Sequence, residues 1–230
     1  MKALFILTSH GEKGTTGDAT GFFWEELAVP YWKLRDAGYA IDIASVKGGR
    51  PPADPSSAKE EGRHPAVQRF MDDADAMAAL NASKSVSEVD PLAYDAVFLP
   101  GGHGVMWDTG QSQRLGDIVA QAYENGSVVG AVCHGPAGFI SARLSNGEPL
   151  VKGKKINSFT DSEERAVKLE DVVPYLLETR LRELGANFVA NSEDFQPYAV
   201  RDGRLVTGQN PSSSGPVADL LLEALAEKRP

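Results

Sequence analysis

Cysteine is the scarcest reactive group in this chain: Cys133 is alone among 230 residues. A single thiol excludes an intramolecular disulfide framework and points to a reducing compartment. Histidine is nearly as rare, present only at His10, His64, His103 and His134, so none follows the cysteine dipeptide Cys133-His134. A glutaminase-type site, which takes its base from far downstream of the nucleophile, therefore lacks that base. Long apolar runs are also missing. The N-terminal run, Met1 to Thr8, is too short for a signal peptide or a membrane span, so a cytoplasmic, soluble protein is expected. Positive charge is in deficit, 23 Lys and Arg against 32 Asp and Glu, for a net charge of −9. That balance argues against nucleic acid or an anionic membrane surface as a partner. There is no internal repeat and no low-complexity tract.

What is present is an alternation of apolar runs and amphipathic stretches. With 42% hydrophobic residues, 23 Gly and 14 Pro, the chain can build one large α/β domain or two small ones. Residues 3–8 read as a buried strand, 22–37 as a helix with Pro30 tolerable only in a first turn, and 39–45 as a second strand. A helix is expected over 67–80, a polar connection over 85–94, a buried strand over 96–99 and a helix over 114–124. Further on come a central strand at 128–132, a hairpin turn at 151–155 and a strand at 156–159. A helix over 174–184, a hairpin around Asp202-Gly203 and a closing helix over 215–228 complete the series. Strands alternating with helices predict a doubly wound, mostly parallel sheet with helices on both faces, flavodoxin-like, in one domain. Residues 47–65, rich in proline, form an irregular insertion.

The chain is organised around residues 127–141, Ser-Val-Val-Gly-Ala-Val-Cys-His-Gly-Pro-Ala-Gly-Phe-Ile-Ser. A buried strand stops at Cys133-His134-Gly135-Pro136, where Gly135 permits close backbone approach and Pro136 suits a first helical position. Strand, abrupt turn and helix together make a nucleophile elbow with Cys in place of Ser, although Gly130 misses the usual glycine spacing. A thiol there would sit against a helix N-terminus, which lowers its pKa; a buried, inert Cys is the alternative. In a doubly wound sheet the ligand site lies beyond the carboxyl ends of the strands. That rule gathers His10, the Gly101-Gly102-His103 turn, Cys133-His134, Asp161 and the start of the first helix, with Glu25 and Glu26. The Gly-Gly turn is either an oxyanion hole or a plain tight turn. A metal site from His10, His103 and nearby acids has no support from ligand spacing.

The segments Phe-Leu-Pro-Gly-Gly-His-Gly (98–104) and Ala-Val-Cys-His-Gly-Pro-Ala (131–137) resemble the ThiJ/PfpI superfamily, with its class I glutamine amidotransferase-like fold. Thr16-Gly17, Glu26-x-x-x-Pro30, and the stretches 157–164, 173–178 and 207–211 extend the resemblance over nearly the whole chain. The similar branch is that of the heat-shock chaperones and glyoxalase III proteins, in which an insertion such as 47–65 caps the site.

The resemblance implies Cys133 as nucleophile, His134 as its neighbouring base, and Glu26 as the carboxyl facing the sulfur. The spacing to Pro30 selects Glu26 over Glu25. It further implies an oxyanion hole from the Gly102 and His134 amides. Asp161 is a candidate for the acid that orients His134, with Glu163 an equally acidic neighbour. His10, His103 and Trp107 are candidates for the pocket lining, as are one or two of the rings Phe22, Phe23, Trp24, Tyr31 and Trp32. The activity implied is a glyoxalase acting on methylglyoxal or a related 2-oxoaldehyde, needing no glutathione, metal or other cofactor, in a homodimer. The alternatives are a stress chaperone or oxidation sensor without essential catalysis, and a cysteine peptidase or protein deglycase.

Overall fold

The computed structural model describes residues Met1 to Lys228. The strands are β1 (Lys2–Leu7), β2 (Ala40–Ser45), β3 (Lys84–Ser85), β4 (Ala96–Leu99), β5 (Val128–Val132), β6 (Lys155–Ile156), β7 (Asn187–Phe188), β8 (Ala199–Asp202) and β9 (Leu205–Gly208). The helices are α1 (Trp24–Asp36), α2 (Pro65–Asp72), α3 (Ala74–Asn81), α4 (Val105–Asp108), α5 (Gln113–Glu124), α6 (Asp161–Ala166), α7 (Leu177–Glu183) and α8 (Ser214–Ala226). Seven strands form one sheet in the order β3-β2-β1-β4-β5-β9-β8, parallel except for the edge strand β8. β6 and β7 pair separately, in parallel. The expected doubly wound α/β architecture is therefore present. No helix among the described residues is long and apolar enough to cross a membrane.

The pleat explains why the central strands are continuous apolar runs. In β1, Leu4 and Ile6 face one layer while Ala3, Phe5 and Leu7 face the other, and all five are buried. The first layer takes Leu115, Ile118 and Val119 of α5; the second takes Leu27 and Leu34 of α1 with Leu221 and Leu225 of α8. From β1 the chain winds one way to β2 and β3 and the other way to β4 and β5. The crevice beyond their carboxyl ends is thus a topological switch point.

Four local expectations differ. Pro30 sits in the middle of α1, not in its first turn. It is buried there, and the N–H that would pair with the Glu26 carbonyl is missing. The helix expected over 67–80 is two, α2 and α3, because the Asp73 side chain accepts the Ala76 amide and starts a new helix. At the start of the polar connection, Lys84 and Ser85 extend the sheet beside β2. The turn before β6 does not fold a hairpin, since β6 pairs in parallel with β7, from beyond α7.

Candidate active site

Cys133 follows β5 directly and has φ 59°, a left-handed backbone that a residue with a side chain adopts only under constraint. The constraint is visible. Its amide donates to the Gly208 carbonyl of β9 (2.9 Å), and its carbonyl accepts the Phe159 amide (2.8 Å). The following turn must press against β4, and Gly135 allows it: a Cβ there would lie 2.1 Å from the Leu99 carbonyl oxygen. Pro136 opens the short 3-10 turn Gly135–Phe139. This is the strand-turn-helix elbow, with a 3-10 turn where an α-helix was expected.

Glu26 reaches the same place from the first turn of α1. Its Oε2 accepts the Gly101 amide at 2.7 Å, and a Cβ on Gly101 would lie 2.8 Å from that oxygen. The carboxyl is wholly buried, Oε1 is left without a hydrogen-bond partner, and the Cys133 thiol is the side chain that acts on the carboxyl. Burial pushes the Glu26 pKa up to about 8, against the pull of the Gly101 amide and the Cys133 contact. Glu26 is therefore neutral at pH 7. Burial also drives the Cys133 thiol up, reinforced by Glu26, with the His134 amide pulling the other way. The expected lowering by a helix N-terminus is thus corrected. A five-residue 3-10 turn carries little aligned dipole, and burial outweighs it.

His134 links the sulfur to a second carboxyl. Its Nδ1 lies 3.3 Å from Sγ, and its Nε2 lies 2.7 Å from Oε2 of Glu164 on α6. Nε2 of His103 lies 2.7 Å from the other oxygen, Oε1. Burial alone would raise the Glu164 pKa, but the two imidazoles overcome it and hold the carboxyl well below the usual range. An ionised carboxylate only accepts, so both imidazoles donate Nε2–H to it. With Nε2 turned to the carboxylate, His134 presents Nδ1 to the thiol. His103 is held below its ordinary value by burial and by His134.

The acid beside His134 is therefore Glu164, neither Asp161 nor Glu163. Asp161, at the first position of α6, pairs with the Thr179 hydroxyl. Glu163 closes a capping box with Thr160 and also accepts from Gln209, Asn210 and the Phe195 amide. That capping box was a usable signal. Thr160-x-x-Glu163 fixes the start of the helix and spends Glu163, leaving Glu164 one turn from Asp161.

A cavity of about 370 Å³ opens onto this group and is lined by Gly102, His103, Cys133 and His134. Cys133 is only 3% exposed, so the cavity is its access to small molecules. Of the five rings near Glu26, Phe23 lines it. Trp24, Tyr31 and Trp32 pack edge-on around Phe70 instead. The proline-rich segment reaches the cavity with Asp54 and Ser56. His10 and Trp107 do not line it. They stack on each other (5.3 Å between centroids, 16°) because α4 turns Trp107 toward the loop after β1. The donor atoms of His103, His134 and Glu164 lie within 4.8 Å of one another and could hold a divalent ion, though each already bonds another member.

The chain that carries this buried thiol, carboxyl and imidazole-carboxylate pair matches a known family. The DJ-1/PfpI family model matches residues 19–224. The chain belongs to the DJ-1/PfpI family. It is 33% identical to Glyoxalase 3 of Candida albicans and 33% identical to the glutathione-independent glyoxalase HSP31 of Saccharomyces cerevisiae. Each alignment covers 97% of this chain and 98% of the relative. Among solved structures, the rapid encystment protein REP24 of Francisella tularensis superposes with a TM-score of 0.93 at 34% identity, over 97% of this chain and 98% of that one. Glyoxalase III of Candida albicans superposes with a TM-score of 0.89 at 33% identity, over 97% of each chain. These members of the family place the chain in its glyoxalase III branch.

Proposed function

We propose that this DJ-1/PfpI protein is a glutathione-independent glyoxalase that converts a 2-oxoaldehyde such as methylglyoxal into the 2-hydroxy acid. The observation that carries the reading is the wholly buried Glu26 carboxyl, held by the Gly101 amide against the Cys133 thiol, where burial favours its protonated form. A protonated carboxyl against the sulfur can donate to the oxygen of an aldehyde that the sulfur attacks. Two relatives along nearly the full chain are named glyoxalases, and this supports the reaction class.

The steps follow from the charge states. His134 Nδ1 takes the thiol proton, and Glu164 stabilises the resulting imidazolium. The sulfur attacks the aldehyde carbon while Glu26 protonates its oxygen, giving a hemithioacetal; the Gly102 and His134 amides hold that oxygen. Glu26, now a carboxylate, removes the proton from the aldehyde carbon, and His134 protonates the ketone oxygen to give an enediol. Glu26 returns its proton to the former ketone carbon as the hydroxyl proton on the first carbon passes to His134. The product is a thioester of the 2-hydroxy acid. Water then cleaves the C–S bond, its hydroxyl joining the acyl carbon and its proton going to Glu26, while His134 returns its proton to the sulfur. The aldehyde carbon is oxidised and the ketone carbon reduced, so no external oxidant or reductant enters.

The experiment is lactate formation from methylglyoxal by the purified protein with no added thiol. The wild type should form lactate; Cys133→Ala and Glu26→Gln should not do so at the wild-type rate. Lactate formation at the wild-type rate by either variant would overturn the mechanism. The reading also takes the chain as one domain, with the segment 47–65 as a cap over the cavity, acting as a homodimer. Light scattering would measure the dimer as twice the chain mass.

A further inference from the structure

Three residues other than glycine have positive φ among the described residues: Cys133, Lys168 at 60° and Phe195 at 62°. The first is the nucleophile. The other two stand at the mouth of its cavity, where Val167 and Leu169, on either side of Lys168, line the wall beside Phe195. Left-handed backbone is unfavourable for such residues, and here it is held by specific bonds. The Phe195 amide donates to the buried Glu163 carboxylate (2.8 Å), and the Leu169 amide donates to the Glu164 carbonyl (3.1 Å).

What these bonds hold in place is apolar surface. Met1, Leu92, Val167 and Phe195 are the large hydrophobic residues exposed among those described, and two of the four are on this rim. Phe195 is 43% exposed and Val167 39%. From the rim a series of rings leads to the chemistry: Phe195 lies 6.2 Å from Phe159, and Phe159 lies 4.5 Å from His134, between centroids. The cavity, at about 370 Å³, falls in the range that holds drug-sized ligands. Methylglyoxal, with five non-hydrogen atoms, would leave this outer part to water.

We infer that Phe159, Val167, Leu169 and Phe195 form a subsite for an apolar, preferably aromatic, substituent on the 2-oxoaldehyde. An aryl glyoxal such as phenylglyoxal is then a better substrate than methylglyoxal. This rests on the glyoxalase reading. The chemistry is unchanged: phenylglyoxal plus water gives mandelate, with the aldehyde carbon oxidised and the ketone carbon reduced. The discrimination comes from water released when a phenyl ring covers Phe195 and Val167.

The test compares kcat/KM for phenylglyoxal and methylglyoxal in the wild type, Val167→Ser and Phe195→Asn, the last chosen because Asn tolerates left-handed backbone. The wild type should favour phenylglyoxal by about tenfold or more, and each substitution should cut that ratio several-fold, chiefly through KM. Calorimetry on Cys133→Ala, which cannot react, reads the subsite without turnover; mandelate should bind about tenfold more tightly than lactate. Equal kcat/KM values in the wild type, a ratio that neither substitution moves, or mandelate binding no tighter than lactate would overturn the inference. If neither aldehyde is turned over, the glyoxalase reading fails, and the binding comparison alone decides the subsite.

Discussion

Two carboxyls flank the Cys133-His134 pair, both buried, and they differ in charge. Glu26 sits on the sulfur side with one amide and a thiol for company, and burial leaves it neutral up to about pH 8. Glu164 sits on the imidazole side with two ring N–H donors, and these keep it ionised despite similar burial. The difference teaches that depth alone does not set charge state; the donors within reach do. It also divides the work. In the proposed mechanism a neutral acid gives a proton to the substrate oxygen, and a fixed anion stabilises the imidazolium that takes the thiol proton.

The strongest way to break this arrangement is to remove the atom both acids serve. Cys133→Ala should lose nearly all lactate formation, whatever the state of Glu26 and Glu164. Next is Glu164→Gln, which keeps the shape but removes the anion that fixes the His134 tautomer. Its kcat should fall about 10³–10⁴-fold, read from steady-state kinetics. Glu26→Gln removes a proton carrier and should lower kcat about 10²–10⁴-fold. The wild-type pH profile sharpens the contrast further. Activity should fall as pH rises through about 8, where Glu26 loses its proton, and the residual activity of Glu26→Gln should lack that limb.

The smallest effects are in stability, and there the two acids have opposite signs. Glu26 has a raised folded pKa, so its contribution is complete below the ordinary carboxylate value and is lost as pH rises to about 8. Glu164 has a lowered one, so its contribution is present above the ordinary value and is lost as pH falls through the folded pKa. Relative to wild type, the Tm of Glu26→Gln should therefore be higher at pH 8 than at pH 5. Glu164→Gln should show its largest relative loss of Tm near neutrality and a smaller one in acid.

The same contrast measures what was legible in the chain. The sheet was readable because β1, β4 and β5 are short, uninterrupted apolar runs, each followed by a glycine- or threonine-rich turn. Cys133 was readable because strand, Gly135 and Pro136 adjoin in sequence. Glu26 was not readable from its own surroundings: a first-turn Glu is ordinary, and only the resemblance through Pro30 singled it out. Glu164 was passed over for Asp161 because three acids crowd one short stretch. Which of them meets His134 depends on how α6 is rotated, a choice made by Thr160, Gln209 and Asn210 through Glu163. Pro30 was missed because tertiary packing overrode local preference, and the break at Asp73 because one capping side chain makes it. His10 and Trp107 were placed at the site by their position after strands, yet α4 turned them to each other.

The difference in charge between the two acids is tested most directly by infrared spectroscopy of the protein at neutral pH. The spectrum should contain the C=O stretch of a protonated carboxyl that is absent from Glu26→Gln, persists in Glu164→Gln and disappears as pH passes about 8. A spectrum in which Glu26→Gln removes no such band, or in which Glu164→Gln removes it, would contradict the account.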